Sequence, residues 1–470
     1  MSDADLVIVA NRLPVDRDAD GWRTSPGGLV AALEPVVRQT KGAWVGWPGQ
    51  PDLELQPFEV DGMRLVPVAL SEQEVELHYE GFANATIWPL YHDVIAVPRY
   101  RRVWWDAYVR VNERFAQAAA AAAAPNATVW VHDYQLQLVP AMLREARPDL
   151  TIGYFHHIPF PAYGLYSQLP WRRLVLEGLL GADVIGFQRV ADASNFTACV
   201  RRLLHFETRA SGIRVPTADG GTRVALAKAF PISIDAAAYV ELAGRAEVQE
   251  RAREIRESLG GRTVLLGVDR LDYTKGIRHR LKAYGELLDE GRLDVEDVVL
   301  VQVASPSRER VAAYVELRDE IERTVARVNG NSDTVGSSAV RYLHQSYPRE
   351  EMVALFLAAD VMLVTALRDG MNLVAKEYAA SRVDNRGVLI LSEFAGAADE
   401  LRTALRVNPH DIDTLKNAIL EAIEMPAAEQ SRRMRTLRRR VLDNDIEAWS
   451  RACLSALAEA RDQRMKRSGS

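Results

Sequence analysis

A strand, a glycine turn and a helix start follow one another in the segment that begins at residue 361. Residues 361–367 form an apolar run, Gly370 follows it, and the stretch from Met371 onward has the composition of a helix. Glycine lets a backbone turn and approach a ligand closely, and the free N–H groups at a helix N-terminus suit a phosphate. This order predicts an α/β fold with an anion site at the backbone of Met371, Asn372 and Leu373.

Two carboxylates, Asp369 and Glu377, lie on either side of this predicted anion site. Negative charge beside a phosphate is unfavourable, so we expect both carboxylates to accept hydrogen bonds from sugar or ribose hydroxyls. For any one of these residues, a polar strand-to-helix loop without a ligand is the alternative. The combination of turn, helix start and carboxylates favours a nucleotide-sugar site.

A second segment of the same kind supplies positive charge. The apolar residues 263–268 predict a buried strand, and Arg270 and Lys275 come just after it. Ligands of open α/β sheets bind beyond the carboxyl ends of the strands, where both cations would lie. Each cation alone is typical of a solvated surface. Together with the turn at Gly370 they predict a site for a departing diphosphate, with arginine as a fork and lysine as a point charge.

Composition narrows the function classes. The chain has 470 residues, which predicts two domains, and its net charge of -6 argues against a nucleic-acid partner. No GxGxxG motif follows a predicted strand, which argues against a dinucleotide-dependent dehydrogenase. Cys199 and Cys453 lie far apart and are interpreted as packing residues in a reducing cytoplasm. No run approaches the roughly 18 apolar residues of a membrane span.

Paired aspartates are the ligands that a metal-dependent glycosyltransferase would need. Asp-x-Asp pairs occur at Asp16 and Asp18, at Asp411 and Asp413, and at Asp443 and Asp445. We place these pairs in loops or helices, so none forms a metal site at a strand end. Too few residues follow Asp413 for a phosphatase domain. Diphosphate stabilisation is therefore expected from Arg270, Lys275 and backbone N–H groups, without a metal or another cofactor.

Several motifs closely resemble those of the trehalose-6-phosphate synthases, a family of retaining glycosyltransferases. They include RLDYTKG from Arg270, ASPSRER from Ala304 and RDGMNLVAKEY from Arg368. Further similar blocks lie at residues 10–12, 26–29, 44–47, 79–92, 131–134, 157–161 and 391–398. The blocks follow the family order and span nearly the whole chain.

The resemblance implies an α/β fold of the GT-B type, with two Rossmann-like domains whose parallel sheets face each other across a cleft. Alternating apolar strands and helical stretches agree with parallel sheets. We place an N-terminal acceptor-binding domain at residues 1–235 and a C-terminal nucleotide-sugar-binding domain at residues 236–445. A final helix over residues 446–470 is expected to return to the first domain.

The resemblance also implies an activity. Glucose would move from a nucleoside-diphosphate glucose to glucose 6-phosphate and form α,α-trehalose 6-phosphate with retention. UDP-glucose is the expected donor and GDP-glucose the alternative. Other functions left open are a different retaining GT-B glucosyltransferase and a non-catalytic sugar-phosphate sensor. We expect a cytoplasmic protein without a membrane partner, and leave homo-oligomerisation open.

Site residues follow from the same resemblance, motif by motif. The catalytic group comprises Arg270, Lys275, Asp369 and His157. The donor-binding group comprises Gly28, Met371, Asn372, Leu373 and Glu377. The acceptor-binding group comprises Arg12, Trp47, Tyr79, Trp88, Asp133 and Arg308. His156 stands where many relatives carry an apolar residue, so we interpret it as a core residue.

The donor base is not read by these motifs, which contact parts that all nucleotide sugars share. We expect the strand-end residues 303–305 and the polar loop 343–347 to contact the base. Backbone groups of both segments can pair with a base edge.

Overall fold

The computed structural model describes residues 3–18, 21–24, 30, 33–34, 37–38, 40–209, 212–217, 220–308 and 310–468. Gly28, expected at the donor, lies outside the described residues. The chain forms an N-unit, Met1–Ile232 with Glu447–Ser470, and a C-unit, Ser233–Ile446.

The strands of the N-unit are Ala4–Arg12 (β1), Val15–Asp18 (β2), Gly21–Thr24 (β3), Ala43–Trp47 (β4), Phe58–Val60 (β5), Met63–Pro67 (β6), Ala123–His132 (β7), Thr151–Phe155 (β8), Val184–Phe187 (β9), Thr208–Arg209 (β10), Gly212–Pro216 (β11) and Thr222–Ala229 (β12). In the described residues the main sheet has ten strands, ordered β10-β11-β12-β9-β8-β7-β1-β4-β6-β5. Its strands from β12 to β6 are parallel. The strand order reverses beside β1, where the carboxyl ends of such sheets form a binding crevice.

Strands β2 and β3 form a separate antiparallel hairpin. Asp16 and Asp18 therefore lie on a strand, and our placement of this pair in a loop was wrong. Local composition gives no strand signal here; the strand forms because it pairs with Gly21–Thr24.

The strands of the C-unit are Thr263–Arg270 (β13), Val298–Ser305 (β14), Val340–Leu343 (β15), Val361–Val364 (β16), Val388–Ser392 (β17) and Leu405–Val407 (β18). They form a parallel sheet ordered β15-β14-β13-β16-β17-β18. This is the order of a nucleotide-binding Rossmann sheet, whose ligands bind where the direction of winding changes. In the C-unit that point lies between β13 and β16.

The α-helices are Glu72–Glu74 (α1), Trp88–Tyr91 (α2), Arg102–Ala122 (α3), Val139–Ala146 (α4), Tyr163–Tyr166 (α5), Arg172–Leu179 (α6), Val190–Leu203 (α7), Ala236–Gly244 (α8), Ala246–Ser258 (α9), Ile277–Asp289 (α10), Ala312–Ser332 (α11), Arg349–Ala358 (α12), Leu373–Ser381 (α13), Ile412–Glu424 (α14), Ala427–Asp443 (α15) and Ile446–Ser468 (α16). Shorter helical segments are the π-helix Val75–Ile87 and the 3-10 helices Tyr134–Leu136, Tyr273–Lys275 and Gly396–Asp399.

Helix α16 is anchored in the N-unit by an aromatic contact. Trp449 donates from Nε1 to the carbonyl of Phe230 at 3.1 Å, and its ring stacks on Trp130 with centroids 5.3 Å apart. Burial of these two indoles stabilises the contact by about a few kcal/mol.

Three sequence interpretations are confirmed by burial and capping. Cys199 and Cys453 are buried free thiols, and His156 is fully buried. Asp411 caps α14 by accepting a hydrogen bond from the N–H of Thr414 at 3.0 Å. None of the helices in the described residues is long and apolar enough to cross a membrane.

Candidate functional site

The crevice between β13 and β16 brings together a cation and a carboxylate that are far apart in sequence. Lys275 Nζ lies 2.5 Å from Asp369 Oδ2, and the two side chains are only 11% and 14% exposed. Arg270, the last residue of β13, is exposed. The strand ends thus carry a buried ion pair and an exposed cation.

A helix start lies beside this ion pair, as the sequence predicts. Helix α13 begins at Leu373, and Asn372 caps it by accepting from the N–H of Ala375 at 3.2 Å. Asn372 also donates from Nδ2 to Asp369 Oδ2 at 3.1 Å. The first N–H groups of a helix have no partner within it, and the helix dipole adds partial positive charge there. This end of α13 can bind an anion.

The left-handed residue of this loop is an asparagine. Asn372 has a φ of 76°, whereas Gly370 is not among the described residues with a positive φ. An asparagine tolerates this conformation and its side chain caps the helix at the same time. Gly396 lets the neighbouring loop approach, because a Cβ there would lie 2.0 Å from the carbonyl oxygen of Gly370.

Asp272, which the sequence analysis did not single out, is the centre of the cationic segment. Its Oδ1 accepts from the N–H and hydroxyl of Thr274 at 2.9 and 2.8 Å, and its Oδ2 accepts from Tyr314 at 2.8 Å. Arg308 Nη1 lies 3.0 Å from the same Oδ2. Burial alone would raise the pKa of Asp272, but Arg308, Lys275 and the other donors lower it to about 2. The charged carboxylate therefore fixes the segment that carries Lys275.

Arg308, expected at the acceptor phosphate, belongs to the same C-unit cluster. Its side chain is 5% exposed and its φ is 50°. It also contacts the hydroxyl of Tyr314. The motif RLDYTKG shows Asp272 between two cations. Its ion-pair partner Arg308, however, lies in another motif.

Glu377 lies one turn into α13 and is half-buried. Burial raises its pKa, while a hydrogen bond with Tyr239 and the charge of Arg349 oppose this rise. The Arg349 guanidinium carbon lies 5.6 Å from the centroid of the Tyr239 ring. Burial therefore dominates at this carboxylate, against the opposing effects of a phenol on α8 and a guanidinium at the start of α12.

The two segments expected to contact the base are neighbours. His344 Nδ1 lies 2.9 Å from the carbonyl of Ala304, and the hydroxyl of Ser305 donates to the carbonyl of Gln345 at 3.5 Å. Residues 303–305 end β14, and residues 344–347 follow β15 of the same sheet. The structure places them together, and their contact with a base stays a prediction.

In the N-unit, Arg12 and Trp47 end the neighbouring strands β1 and β4 and are register partners. The Arg12 guanidinium carbon lies 5.3 Å from the centroid of the Trp47 ring. Arg12 is 47% exposed and donates to Asp16 Oδ1 at 3.1 Å. An exposed guanidinium on an aromatic face is placed to bind an anion.

Asp133 and His157 follow the adjacent strands β7 and β8. Asp133 has a φ of 75°, and its Oδ1 accepts from the N–H of His157 at 3.2 Å. His132 Nδ1 lies 3.1 Å from His157 Nε2. Burial lowers the pKa of His157 to about 3 and that of His132 well below its ordinary value, so both rings are neutral.

The tautomers of these histidines follow from hydrogen-bond satisfaction. Among the described residues, the buried His132 Nε2 has no hydrogen-bond partner. An orphaned N–H donor is rarer than an orphaned acceptor, so the proton of His132 belongs on Nδ1 and is donated to His157 Nε2. His157 then carries its own proton on Nδ1. The sequence analysis missed His132, although it directly precedes Asp133.

Tyr79 lies on an unusual helix, and Trp88 directly follows it. Tyr79 is half-buried in the π-helix Val75–Ile87, and the buried Trp88 begins α2. The Trp88 ring lies 4.1 Å from His92 and 5.6 Å from Tyr134, measured between centroids. π-Helical turns are rare and frequent at functional sites. The sequence shows no signal for this geometry.

Clusters of metal-ligand side chains are absent from the part of the chain that the structure describes, where no group of three or more His, Cys, Asp or Glu side chains could hold a metal ion. Positive charge at the C-unit strand ends is carried by Arg270, Lys275 and the start of α13.

Nearly the whole chain is similar to proteins of one known family. Residues 4–459 match the family described as Glycosyltransferase family 20. A trehalose-6-phosphate synthase of Mycolicibacterium gilvum (strain PYR-GCK) is 57% identical over 471 residues, which cover 97% of this chain and 94% of that protein.

Two solved structures are similar in fold as well as in sequence. A UDP-forming α,α-trehalose-phosphate synthase from Burkholderia xenovorans, in complex with glucose-6-phosphate, has a TM-score of 0.88 and 34% identity, covering 96% of this chain and 99% of that chain. A second structure, from E. coli and described as trehalose-6-phosphate bound with UDP-2-fluoro glucose, has a TM-score of 0.88 and 33% identity. The match covers 96% of this chain and 98% of that chain. The chain belongs to glycosyltransferase family 20, the family of the trehalose-6-phosphate synthases.

Proposed function

We propose that this glycosyltransferase moves glucose from UDP-glucose to glucose 6-phosphate and forms α,α-trehalose 6-phosphate with retention. The contact of Lys275 with Asp369, at 2.5 Å beside the start of α13, carries the proposal. A glucosyl diphosphate needs a cation and a helix start for its phosphates, and a carboxylate for its sugar hydroxyls. These three features coincide at the strand-end crevice of the C-unit.

The donor is held by the following groups in this proposal. Arg270, Lys275 and the backbone N–H groups of Met371, Asn372 and Leu373 bind the diphosphate. Asp369 and His157 bind the hydroxyls of the donor glucose, and Glu377 binds the ribose. His157 suits a hydroxyl because it is neutral and donates from Nδ1. Glu377 suits a ribose because a carboxylate accepts hydrogen bonds from hydroxyls.

The acceptor uses a different set of side chains. Arg12 and Arg308 bind the phosphate of glucose 6-phosphate, with Tyr79 and Trp88 beside it. Trp47 and Asp133 line the sugar. Arginine binds a phosphate dianion bidentately, and the tryptophan rings give the sugar an apolar face.

The chemical step needs no protein nucleophile. Asp369 already bonds to Lys275 and Asn372, so its carboxylate is engaged. The bond from the glucosyl anomeric carbon to the diphosphate oxygen breaks, and the anomeric oxygen of glucose 6-phosphate forms the new bond on the same face. The departing phosphate takes the proton of that hydroxyl. Lys275 and Arg270 stabilise the negative charge that develops on the leaving UDP.

The ligands bound to two relatives support these substrates. The Burkholderia xenovorans protein is UDP-forming and binds glucose-6-phosphate, and the E. coli protein binds UDP-2-fluoro glucose. GDP-glucose stays a second donor to be tested. We place the reaction in the cytoplasm, where two unpaired cysteines stay reduced.

A turnover assay tests the proposal directly. Glucose 6-phosphate is incubated with UDP-, GDP- or ADP-glucose, and the linkage of the product is read by proton NMR. We expect an α,α-linked phosphorylated disaccharide, fastest with UDP-glucose. Transfer to glucose or to a glucan, with no need for the acceptor phosphate, would instead identify another retaining transferase, and binding without turnover would identify a sensor.

Metal independence is tested in the same assay. Because cationic side chains and a helix start supply the positive charge, we expect the rate to be unchanged in EDTA. Loss of turnover that magnesium restores would contradict this part of the proposal.

Base selection is tested by exchanging residues 344–347 for the corresponding loop of a relative with another donor preference. We expect the ratio of kcat/KM for UDP-glucose and GDP-glucose to change, because this loop contacts the end of β14. An unchanged ratio would place base selection elsewhere.

A further inference from the structure

A second polar cavity lies in the N-unit, away from Asp133 and His157. Its volume is about 510 Å³, and it is lined by the start of β12, the end of α4 and one face of α16. Asp183, which also lines it, immediately precedes β9. Asp133 and His157 follow the carboxyl ends of β7 and β8, whereas this cavity lies at the amino ends of the parallel strands. The two sites thus lie at opposite ends of the strands of one sheet.

Positive charge is in excess in this cavity. Its charged lining residues are Arg144, Arg223, Arg464, Asp183 and Glu459. Asp183 Oδ2 lies 2.7 Å from Arg144 Nη2 and 4.0 Å from Arg464 Nη1, and it also accepts from the N–H of Ile152 at 2.8 Å. Glu459 is exposed on α16. Asp183 is therefore the only buried carboxylate among the described lining residues, and it already contacts two guanidinium groups.

Arg223 is the guanidinium with spare donors. It donates from Nη1 to the carbonyl of Ala182 at 3.0 Å, and its guanidinium forms no other hydrogen bond to the described residues. An arginine has five N–H donors, so most of this fork is unused. Burial, followed by repulsion from Arg144, lowers the pKa of Arg223 to about 10, although Asp183 opposes this shift.

We propose that this cavity is a binding site for a small phosphorylated compound, separate from the donor and acceptor sites. The unused fork of Arg223 matches two phosphate oxygens, and an added anion would relieve the repulsion among the three arginines. Thr222 and Gln463 can bond the hydroxyls of the rest of the ligand. The volume lies within the range of small-molecule sites.

Occupancy would link the hairpin of β11 and β12 to the last helix. Arg223 is the second residue of β12, while Gln463 and Arg464 belong to α16. A ligand held by both elements binds only the folded N-unit and therefore stabilises it in proportion to the logarithm of its concentration.

The binding test uses the full chain and inorganic phosphate, with glycerol 2-phosphate as the organic arm. Equilibrium dialysis counts the ions bound by the wild type, by Arg223→Gln and by the control Arg214→Gln. Arg214 is an exposed arginine of the same hairpin, 3.4 Å from Glu207 and outside the cavity lining. Phosphate at the substrate sites is common to all three proteins and cancels.

We expect Arg223→Gln to bind phosphate at this site about 10- to 100-fold more weakly, while Arg214→Gln binds like the wild type. Tighter binding of glycerol 2-phosphate would show that the whole cavity is used, and equal binding would show that the phosphate group alone is recognised. Equal numbers of bound ions in all three proteins would overturn the proposal.

A second variant protects the test against misfolding of Arg223→Gln. Thr222 is exposed at the cavity, so Thr222→Glu adds a repelling carboxylate without disturbing the core. We expect the same loss of one phosphate, with an unchanged circular dichroism spectrum. Full phosphate binding by a folded Thr222→Glu protein would equally overturn the proposal.

Discussion

The candidate sites of the two units hold their polar groups in opposite ways. In the C-unit, buried groups are charged and paired, as in Asp272 with Arg308 and Lys275 with Asp369. In the N-unit, the buried imidazoles of His132 and His157 are neutral. A diphosphate needs fixed positive charge, whereas sugar hydroxyls need neutral donors and acceptors. In the proposed function, the charged pairs of the C-unit suit the diphosphate and the neutral imidazoles of the N-unit suit sugar hydroxyls.

The same contrast extends beneath the site. Arg280 is fully buried in the C-unit, with Nη1 2.8 Å from Asp269 Oδ2 and Nε 3.2 Å from the hydroxyl of Thr365. This network ties β13 to the residue that follows β16. Charged pairs in the C-unit thus hold the strand ends that carry the crevice, and their removal should have the largest effects.

The largest expected effect follows from Asp272→Asn. Removing one partner of a buried pair leaves Arg308 uncompensated, which typically costs about 3–5 kcal/mol. We expect hydrogen exchange to show this loss in peptides of the C-unit at neutral pH. The control is Asp319→Asn, an exposed aspartate on α11, the helix that carries Tyr314. Equal protection in both variants would show that the cluster is not held by its charge.

Lys275→Ala should affect the chemical step. The cation meets charge that develops on the leaving diphosphate, so kcat should fall roughly 100- to 1000-fold, by analogy with loss of one preorganised donor. The KM for glucose 6-phosphate should stay nearly constant. Lys282→Ala is a matched control, because Lys282 is 60% exposed in the same unit. A change confined to acceptor KM would contradict the role of Lys275.

Acid should destabilise the N-unit at a higher pH than the pH at which it affects Asp272 of the C-unit. Burial lowers the pKa of His156 to about 3, so the unfolded chain binds a proton below its ordinary 6.5 and the folded chain does not. Stability of the N-unit should therefore fall as the pH falls from about 6.5 towards 3, by about 1.4 kcal/mol per pH unit for each such histidine. Asp272 has a lowered pKa of about 2, so its contribution is lost only at more acidic pH, below its ordinary 3.8.

Tryptophan fluorescence measures this loss selectively, because the nine tryptophans all lie in residues of the N-unit. We expect His156→Phe to show a shallower decline of the urea midpoint between pH 6.5 and 5. His205→Gln, which changes an exposed histidine of the same unit, should decline like the wild type. An unchanged slope for His156→Phe would mean that His156 is not held neutral.

The smallest expected effect concerns the imidazole pair. His132→Phe removes one neutral hydrogen bond to His157, so kcat/KM for the donor should fall about 2- to 10-fold. His132→Asn keeps an N–H near the position of Nδ1 and should restore most of the activity. Nitrogen NMR should find the His157 proton on Nδ1 in the wild type. A proton on Nε2 would contradict the deduced tautomers.

Much of this protein was readable from its sequence. Apolar runs ending in RLDYTKG and RDGMNLVAKEY predicted strands at β13 and β16, because parallel strands buried on both faces are apolar throughout. A helix start after Gly370 was also predicted from local sequence; α13 begins at Leu373, and its cap by Asn372 was not predicted. Family resemblance then supplied the activity and the residues proposed for each substrate.

What the sequence could not show are contacts between distant segments. Lys275 and Asp369 meet only because β13 and β16 are adjacent in the sheet. Asp272 meets Arg308, which lies between the end of β14 and the start of α11. The hairpin at Asp16, the left-handed turn at Asn372 and the π-helix also depend on neighbours in space. Local composition determined the elements and their ends, and tertiary packing alone decided which charges pair and which imidazoles stay neutral.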